Sequence, residues 1–381
     1  MFGELLLAIP VFIGWTWYAD AQTALWITVA LLVITCPCAL SLATPTALAA
    51  STGALADDGV LISGKQSLET LAQIDDVVFD KTGTLTEGKP QVAAVYCVPD
   101  SGFDEDALYR IAAAVEQNAA PPLARAIVSA AQARGLDIPT AQDAQTVVGA
   151  GIAAEVEGAG LVKVGKAEFA ELALPKFSDG VWDIASIVAV SVDNKPIGAF
   201  ALADALKADT AEAIGRLKKH GIDVYIMSGD NQGTVEYVAK QLGIAHAFGN
   251  MSPRDKAAEV QKLKAAGKTV AMVGDGINDA PALAAANVSF AMKGGADVAE
   301  HTASATLMQH SVNQLADALL VSQATLKNIK QNLFFAFFYN ILGIPLAALG
   351  FLNPVIAGAA MAASSVSVLS NALRLKRVNI E

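Results

Sequence analysis

Two stretches of this 381-residue chain carry no charged side chain over thirty and forty-three consecutive residues, Ala21 to Ala50 and Gln331 to Leu373. Both are too long for a buried core helix. At 1.5 Å per residue the first reaches about 45 Å, beyond the roughly 30 Å hydrocarbon core of a bilayer, so one helix can span and still project. The second needs a turn. Gly350 to Pro354 supplies it and leaves two spans, Gln331 to Ala348 and Val355 to Leu373. A further apolar run, Leu5 to Ala19, covers only about 22 Å and reads as a marginal span or the cut end of one. No Lys or Arg precedes it and no clean small-residue cleavage site follows Tyr18, which disfavours a signal peptide.

Composition agrees with a membrane chain: 54% of residues are apolar and 17% charged, with mean hydropathy +0.44. The 26 Lys and Arg against 37 Asp and Glu leave a net charge of -11, which argues against a nucleic-acid partner. Positive charges cluster at chosen span ends: Lys65 after the second span, Lys327 and Lys330 before the third, Arg374, Lys376 and Arg377 after the fourth. The connections at Asp20 to Thr23 and Gly350 to Pro354 hold no Lys or Arg, which places the large middle segment in the cytoplasm.

That segment, Ser51 to Thr325, reads as α/β at its ends. Val77 to Phe79 is a short buried strand ending in Asp80, Val224 to Met227 leads to Ser228-Gly229-Asp230, and Thr269 to Val273 leads to Gly274-Asp275. Helices expected from Thr210 and from Ser252-Pro253 alternate with them, which implies a parallel sheet with ligands at its carboxyl edge. Gln91 to Phe200 differs in texture, with two Ala-rich helices followed by short strands. It reads as a domain inserted into the first.

Asp80-Lys81-Thr82-Gly83-Thr84-Leu85-Thr86 carries the strongest chemistry. Phosphoryl transfer to a carboxylate needs an exposed strand-end oxygen, hydroxyl donors around the equatorial oxygens, and a small residue for backbone approach. Gly274-Asp275-Gly276-Ile277-Asn278-Asp279 sets two carboxylates four residues apart, suited to a Mg²⁺ that bridges to phosphate. Lys256, in the first turns of a helix, can bring an ammonium to the phosphoryl group. In the membrane run, Cys36-Pro37-Cys38 opens the helix at Pro37 and offers two thiols, so ligand chemistry with Cu(I) or Zn²⁺ is a better reading than oxidation. Tyr339-Asn340 and Met361 with Ser364-Ser365 add polar and thioether groups to the later spans. Cys97, Met227, Met272 and the histidines 220, 246, 301 and 310 show no ligand spacing and read as core or surface residues.

Taken together, these motifs resemble the heavy-metal-transporting P-type ATPases, and Cys36-Pro37-Cys38, Tyr339-Asn340 and Met361-x-x-Ser364-Ser365 resemble their copper(I) subgroup. The run around Ser41 and the Ser228-Gly229-Asp230 variant are similar to transporters that supply copper for cytochrome oxidase assembly. The resemblance covers about Ala24 to Arg377. It implies an α/β haloacid dehalogenase-like phosphorylation domain with an inserted α+β nucleotide-binding domain, attached to transmembrane helices. The divisions expected are 1–50 for two helices, 51–90 and 201–325 for the phosphorylation domain, 91–200 for the insert, and 326–381 for two helices and a tail.

By the same resemblance Asp80 is the phosphorylated residue, with Lys81, Thr82, Thr84, Ser228, Gly229, Asp230 and Lys256 around the phosphoryl group. Asp80, Thr82, Asp275 and Asp279 form the Mg²⁺ region. Gly149, Gly151 and Gly165 match the nucleotide-binding glycines, and Cys36, Cys38, Tyr339, Asn340, Met361 and Ser365 form the copper site. The implied activity is ATP-driven Cu(I) export from the cytoplasm across a plasma membrane, with a metallochaperone as donor. The family's actuator domain, with its Thr-Gly-Glu-Ser loop, does not occur in this sequence, so the chain resembles the carboxyl-terminal part of a transporter whose actuator lies upstream or on a separate segment. Ala119-Ala120-Pro121-Pro122 stands where the family has Ser-Glu-His-Pro. Two other readings share these residues: a membrane-tethered haloacid dehalogenase-type phosphatase, which would usually carry a second Asp where Thr82 stands, and a non-catalytic membrane copper-binding fragment.

Overall fold

A computed structural model describes residues 2–64, 67–117, 122–177, 180–294 and 297–377, which fall into two compact units. One comprises residues 1–74, 304–309 and 314–381, the other 75–303 and 310–313. Lys65 and the Ala119-Ala120-Pro121 departure lie outside the described residues.

The first unit opens with α1 (Phe2–Tyr18), α2 (Ala21–Ile34) and α3 (Cys38–Asp57), followed by β1 (Val60–Ile62) and α4 (Ser67–Leu71). Asp20 caps α2, its Oδ1 accepting the backbone N–H groups of Gln22 at 2.8 Å and Thr23 at 2.9 Å. The uncharged run from Ala21 is therefore two helices. Pro37 has no N–H to continue the ladder, so α2 ends at Ile34, with Thr35 as its cap, and α3 restarts at Cys38. The break falls where the sequence placed it, and α3 continues to Asp57.

The second unit holds two sheets. In chain order it runs β2 (Asp76–Asp80), β3 (Thr86–Cys97), α5 (Glu105–Glu116), α6 (Pro122–Ala133), β4 (Ala141–Val147), β5 (Gly151–Val156), β6 (Gly160–Gly165), α7 (Val181–Ile184), β7 (Ser186–Val192) and β8 (Lys195–Leu206). It continues through α8 (Thr210–Lys219), β9 (Asp223–Met227), α9 (Gln232–Gln241), β10 (His246–Phe248), α10 (Pro253–Ala265), β11 (Val270–Gly274), α11 (Ala280–Ala285), β12 (Val288–Met292) and α12 (Asp297–Thr302).

Strands β12, β11, β2, β9 and β10 lie side by side in that order and all parallel, with Asp80 opposite Met227 and Phe79 opposite Val273. Every residue of β2, β11 and β12 is buried, as the middle of a parallel sheet requires. Strands β3, β8, β7, β6, β5 and β4 form the antiparallel sheet of the insert, closed by α5 and α6 over Leu108, Ile127, Val164, Val190 and Phe200. Thr86 pairs with Leu206, so the insert's sheet extends past the expected 91–200 at both ends. At the seam Asp209 takes the N-cap position of α8, and the hydroxyl of Thr210, its first residue, donates to the Leu85 carbonyl at 2.9 Å.

The first unit resumes with β13 (Ala305–Leu307), antiparallel to β1, then α13 (Asn313–Ala348) and α14 (Pro354–Leu373). Three amides join these helices. Asn332 donates to Asn328 at 3.0 Å, Asn371 donates to Asn332 at 2.9 Å, and Asn328 donates to the Asn371 carbonyl at 2.8 Å. Gly343 on α13 receives Ile34, the last residue of α2, so closely that a Cβ there would lie 2.5 Å from Ile34 Cγ1. Among the described residues three helical stretches, 21–57, 313–348 and 354–376, are long and apolar enough to cross a membrane. Residues 6–18 form a shorter apolar helix.

Candidate active site

The parallel sheet brings β2 and β11 side by side, so the residues at their carboxyl ends converge. Carboxylate oxygens of Asp80, Asp275 and Asp279 all lie within 4.8 Å of one another. Lys256, presented by the first turn of α10, bridges two of them: its Nζ pairs with Asp80 Oδ1 and, at 2.8 Å, with Asp279 Oδ1. Ser252 and Asp255 form a capping box that fixes that turn. Lys256 Nζ is thus aimed at the sheet edge by the helix start, and all three bridged residues are buried.

Charge is the dominant property of this site. Burial, then the negative charge of Asp279, pushes the Asp80 carboxyl up to about 7 against the opposing pull of Lys256. Burial and the charge of Asp279 also raise Asp275. Desolvation opposes the ammonium of Lys256, yet Asp80 and Asp279 together hold its pKa above the usual lysine value. Three carboxylates face Lys256, with Lys207 as a second nearby ammonium, so negative charge still exceeds positive. That imbalance, the clustered oxygens and the hard-oxygen donor set fit Mg²⁺.

Backbone packing fixes the geometry. Gly83 adopts φ +73°, and a side chain there would collide with the Asp275 carboxylate. The Gly276 N–H donates to Asp279 Oδ2 at 3.2 Å. A cavity of about 360 Å³ opens onto the cluster, and its walls include Thr82, Ser228, Gly229, Asp230 and Asn278. Of the residues singled out in the sequence, Lys81 turns its ammonium to Asp230 at 2.6 Å. Ser228 Oγ accepts the Asp230 N–H at 3.2 Å. Thr84 is fully buried, its hydroxyl without a hydrogen-bond partner, and it is not among the cavity walls.

Lys207 belongs to none of the sequence motifs. It follows β8 immediately, is buried, and donates to the Gly83 carbonyl at 2.8 Å, fixing the loop after Asp80. Burial lowers its pKa against the charges of Glu87, Asp209 and Asp275. The available clue was the charge pattern Asp204, Lys207, Asp209 at the end of the insert, where the chain returns to the first sheet. Asp204 accepts from Thr86 Oγ1 and the Lys89 N–H, joining the two crossings.

In the insert, Gly151 and Gly165 are cross-strand partners, and a Cβ on either would meet the other's backbone. Gly149, at φ +76°, has open space around it. In the helical unit, Cys36 and Cys38 are joined in a disulfide, where ligand chemistry was the reading preferred over oxidation. Two cysteines flanking a helix break approach closely enough to bond, and only their reduced form offers thiolates. Cys36 packs against the cluster of Ala30, Leu31, Ile34 and Met361, whereas Asn340 and Ser365 are half-buried and Tyr339 is exposed.

Comparison with known proteins agrees with this geometry. Residues 74–287 match the haloacid dehalogenase-like hydrolase family. A probable cation-transporting ATPase of Haemophilus influenzae is 60% identical over 94% of this chain and 50% of its own length. A copper-exporting P-type ATPase of Bacillus subtilis is 44% identical over 99% of this chain and 48% of its own. The crystal structure of a zinc-transporting PIB-type ATPase in the E2.Pi state superposes with TM-score 0.84 at 37% identity, covering 98% of this chain and 62% of that one. The chain spans about half the length of the curated relatives it matches.

Proposed function

We propose that this chain, which belongs to the P-type ATPases and carries their haloacid dehalogenase-like hydrolase fold, transfers the γ-phosphoryl group of ATP to Asp80 and couples that step to Cu(I) export. The observation that carries the first part is Lys256 held between Asp80 and Asp279 beside Asp275. In the transfer, an Asp80 oxygen attacks the γ-phosphorus as the bond to the ADP oxygen breaks. Lys256 balances charge on the transferring oxygens, and Thr82 and Ser228 lie on the cavity wall where those oxygens arrive. Lys207 and Gly83 keep the loop closed on Asp275. Asp80, Asp275 and Asp279 would hold Mg²⁺, which supplies further charge neutralisation when bound. Gly149 leaves the insert's backbone open for a nucleotide, while Gly151 and Gly165 let its strands close.

Labelling with γ-labelled ATP tests this reading: the intact chain acquires a Mg²⁺-dependent, acid-stable label. Equal labelling of Asp80→Asn would overturn it.

For the metal, the reduced Cys36 and Cys38 with Met361 make a soft set, and the spans after Gln331 contain no Asp, Glu, Lys or His before Arg374. This favours Cu(I) over the zinc of the structural neighbour, in line with the copper-exporting relative. Chelator competition on the reduced chain in detergent measures it, and equal Cu(I) affinity in a Cys36→Ser, Cys38→Ser variant would end the proposal. The direction is outward across a plasma membrane with the large unit cytoplasmic, and a metallochaperone is the donor. The actuator step is assigned to a further segment.

A further inference from the structure

We infer that a groove between α4 and α13 binds the headgroup of an anionic phospholipid. The inference rests on α13 being a membrane span and otherwise goes beyond the transport reading. The groove encloses about 620 Å³ and is lined by Ala72, which follows α4 directly, and by residues of α13 from Gln323 to Phe335. Gln323, Lys327, Lys330, Gln331 and Phe334 recur at three- and four-residue spacing, which puts them on one helix face.

Along that face the chemistry changes in one direction. Lys327 and Lys330 are exposed, and no Asp or Glu is among the lining residues. One to two turns further on, Phe334 and Phe335 are 64% and 50% exposed, and Phe334 also stacks on Phe338. From Lys327 to Phe334 the rise is about 10 Å, the distance over which a lipid passes from phosphate to acyl chain. Two ammonium groups therefore sit at headgroup depth and the aromatic rings at chain depth, beside two glutamines that can donate to phosphate oxygens. Basic pockets of this kind at the ends of spans suit anionic headgroups, with about fivefold in affinity for each lysine. A neutral headgroup gains nothing from the pair, and a free phosphate gains nothing from the rings.

The test uses the full chain in a neutral detergent, titrated with phosphatidylglycerol or phosphatidylcholine and followed by native mass spectrometry. Phosphatidylglycerol is expected to bind at least tenfold more tightly. Lys327→Gln with Lys330→Gln should cost on the order of 25-fold, and the corresponding double arginine variant should restore binding. Equal affinity for the two lipids, undiminished binding by the glutamine variant, or glycerol phosphate binding as tightly as the lipid would each overturn the proposal. If instead the membrane reading of α13 fails, the chain remains in the aqueous phase without detergent and retains neither lipid, an outcome distinct from equal retention of both.

Discussion

The carboxylate centre and the cysteine centre are built on opposite principles. Around Asp80 position is enforced by charge: Lys256, Lys207, Asp275 and Asp279 each constrain another, and the backbone at Gly83 leaves no slack. Around Cys36 the described neighbours are apolar, among them Leu31, Ile34, Val33 and Met361, so apart from the bond to Cys38 position is enforced by shape and no ion pair contributes. A centre held by charge should be brittle to loss of one ion and responsive to a cation. One held by shape should respond to volume instead.

The largest effect is expected from Lys256→Ala. It leaves the two buried carboxylates of Asp80 and Asp279 without their shared ammonium, which costs about 3 to 5 kcal/mol. Phosphoenzyme should fall at least 100-fold, and thermal unfolding should move down in chelator but recover in part with Mg²⁺. Unchanged melting without Mg²⁺ would break the claim that charge holds this centre. Gly83→Ala comes next, at roughly 2 to 3 kcal/mol, because it adds both a positive-φ penalty and a collision with Asp275. Phosphoenzyme yield measures it, and loss of label with little change in melting would localise the damage to the loop.

Glu116 sharpens the rule from the other direction. Burial alone pushes its carboxyl up to about 7, so the folded state holds its proton more tightly than the unfolded one. Its contribution to stability is greatest below about 4.5 and falls as pH rises to about 7. Glu116→Gln should therefore raise stability at pH 8 by on the order of 2 kcal/mol and change little at pH 4.5. Melting curves at the two pH values decide it. The smallest effect is expected at the shape-held centre: Gly343→Ala crowds Ile34 at a net cost of about 1 kcal/mol, since overpacking outweighs the gain in helix propensity. Cu(I) affinity of the reduced chain should drop about threefold, in keeping with that small cost. A larger loss than from Lys256→Ala would reverse the comparison.

The two centres also differed in how much of them could be read from residues alone. Asp80, Asp275 and Asp279 were legible because strand ends in a parallel sheet share one edge, so local patterns predict a distant meeting. Asp230 follows its strand by three residues and also reaches this edge, on the cavity wall, where its carboxylate pairs with Lys81. Strand β3 was hidden by Gly88 and Pro90 near its start, and β4 by Gln142, Asp143 and Gln145, whose exposed side chains give no alternation. Helix α13 begins eighteen residues before the uncharged run, because Lys327 and Lys330 sit on its exposed face and do not interrupt its packing. Ile34 meeting Gly343 depends on shape across some three hundred residues, for which one sequence holds no periodic clue.

The asparagine triad between α13 and α14 works as an indexing pin. Two of its three hydrogen bonds cross from α13 to Asn371 of α14, so sliding α13 by one residue, about 1.5 Å with a turn of about 100°, would break both together and strand the buried amides of Asn328 and Asn332. Small tilts that preserve the triad cost little by comparison. The triad therefore sets the register of α13 against α14, and with it the height at which α14 presents Met361.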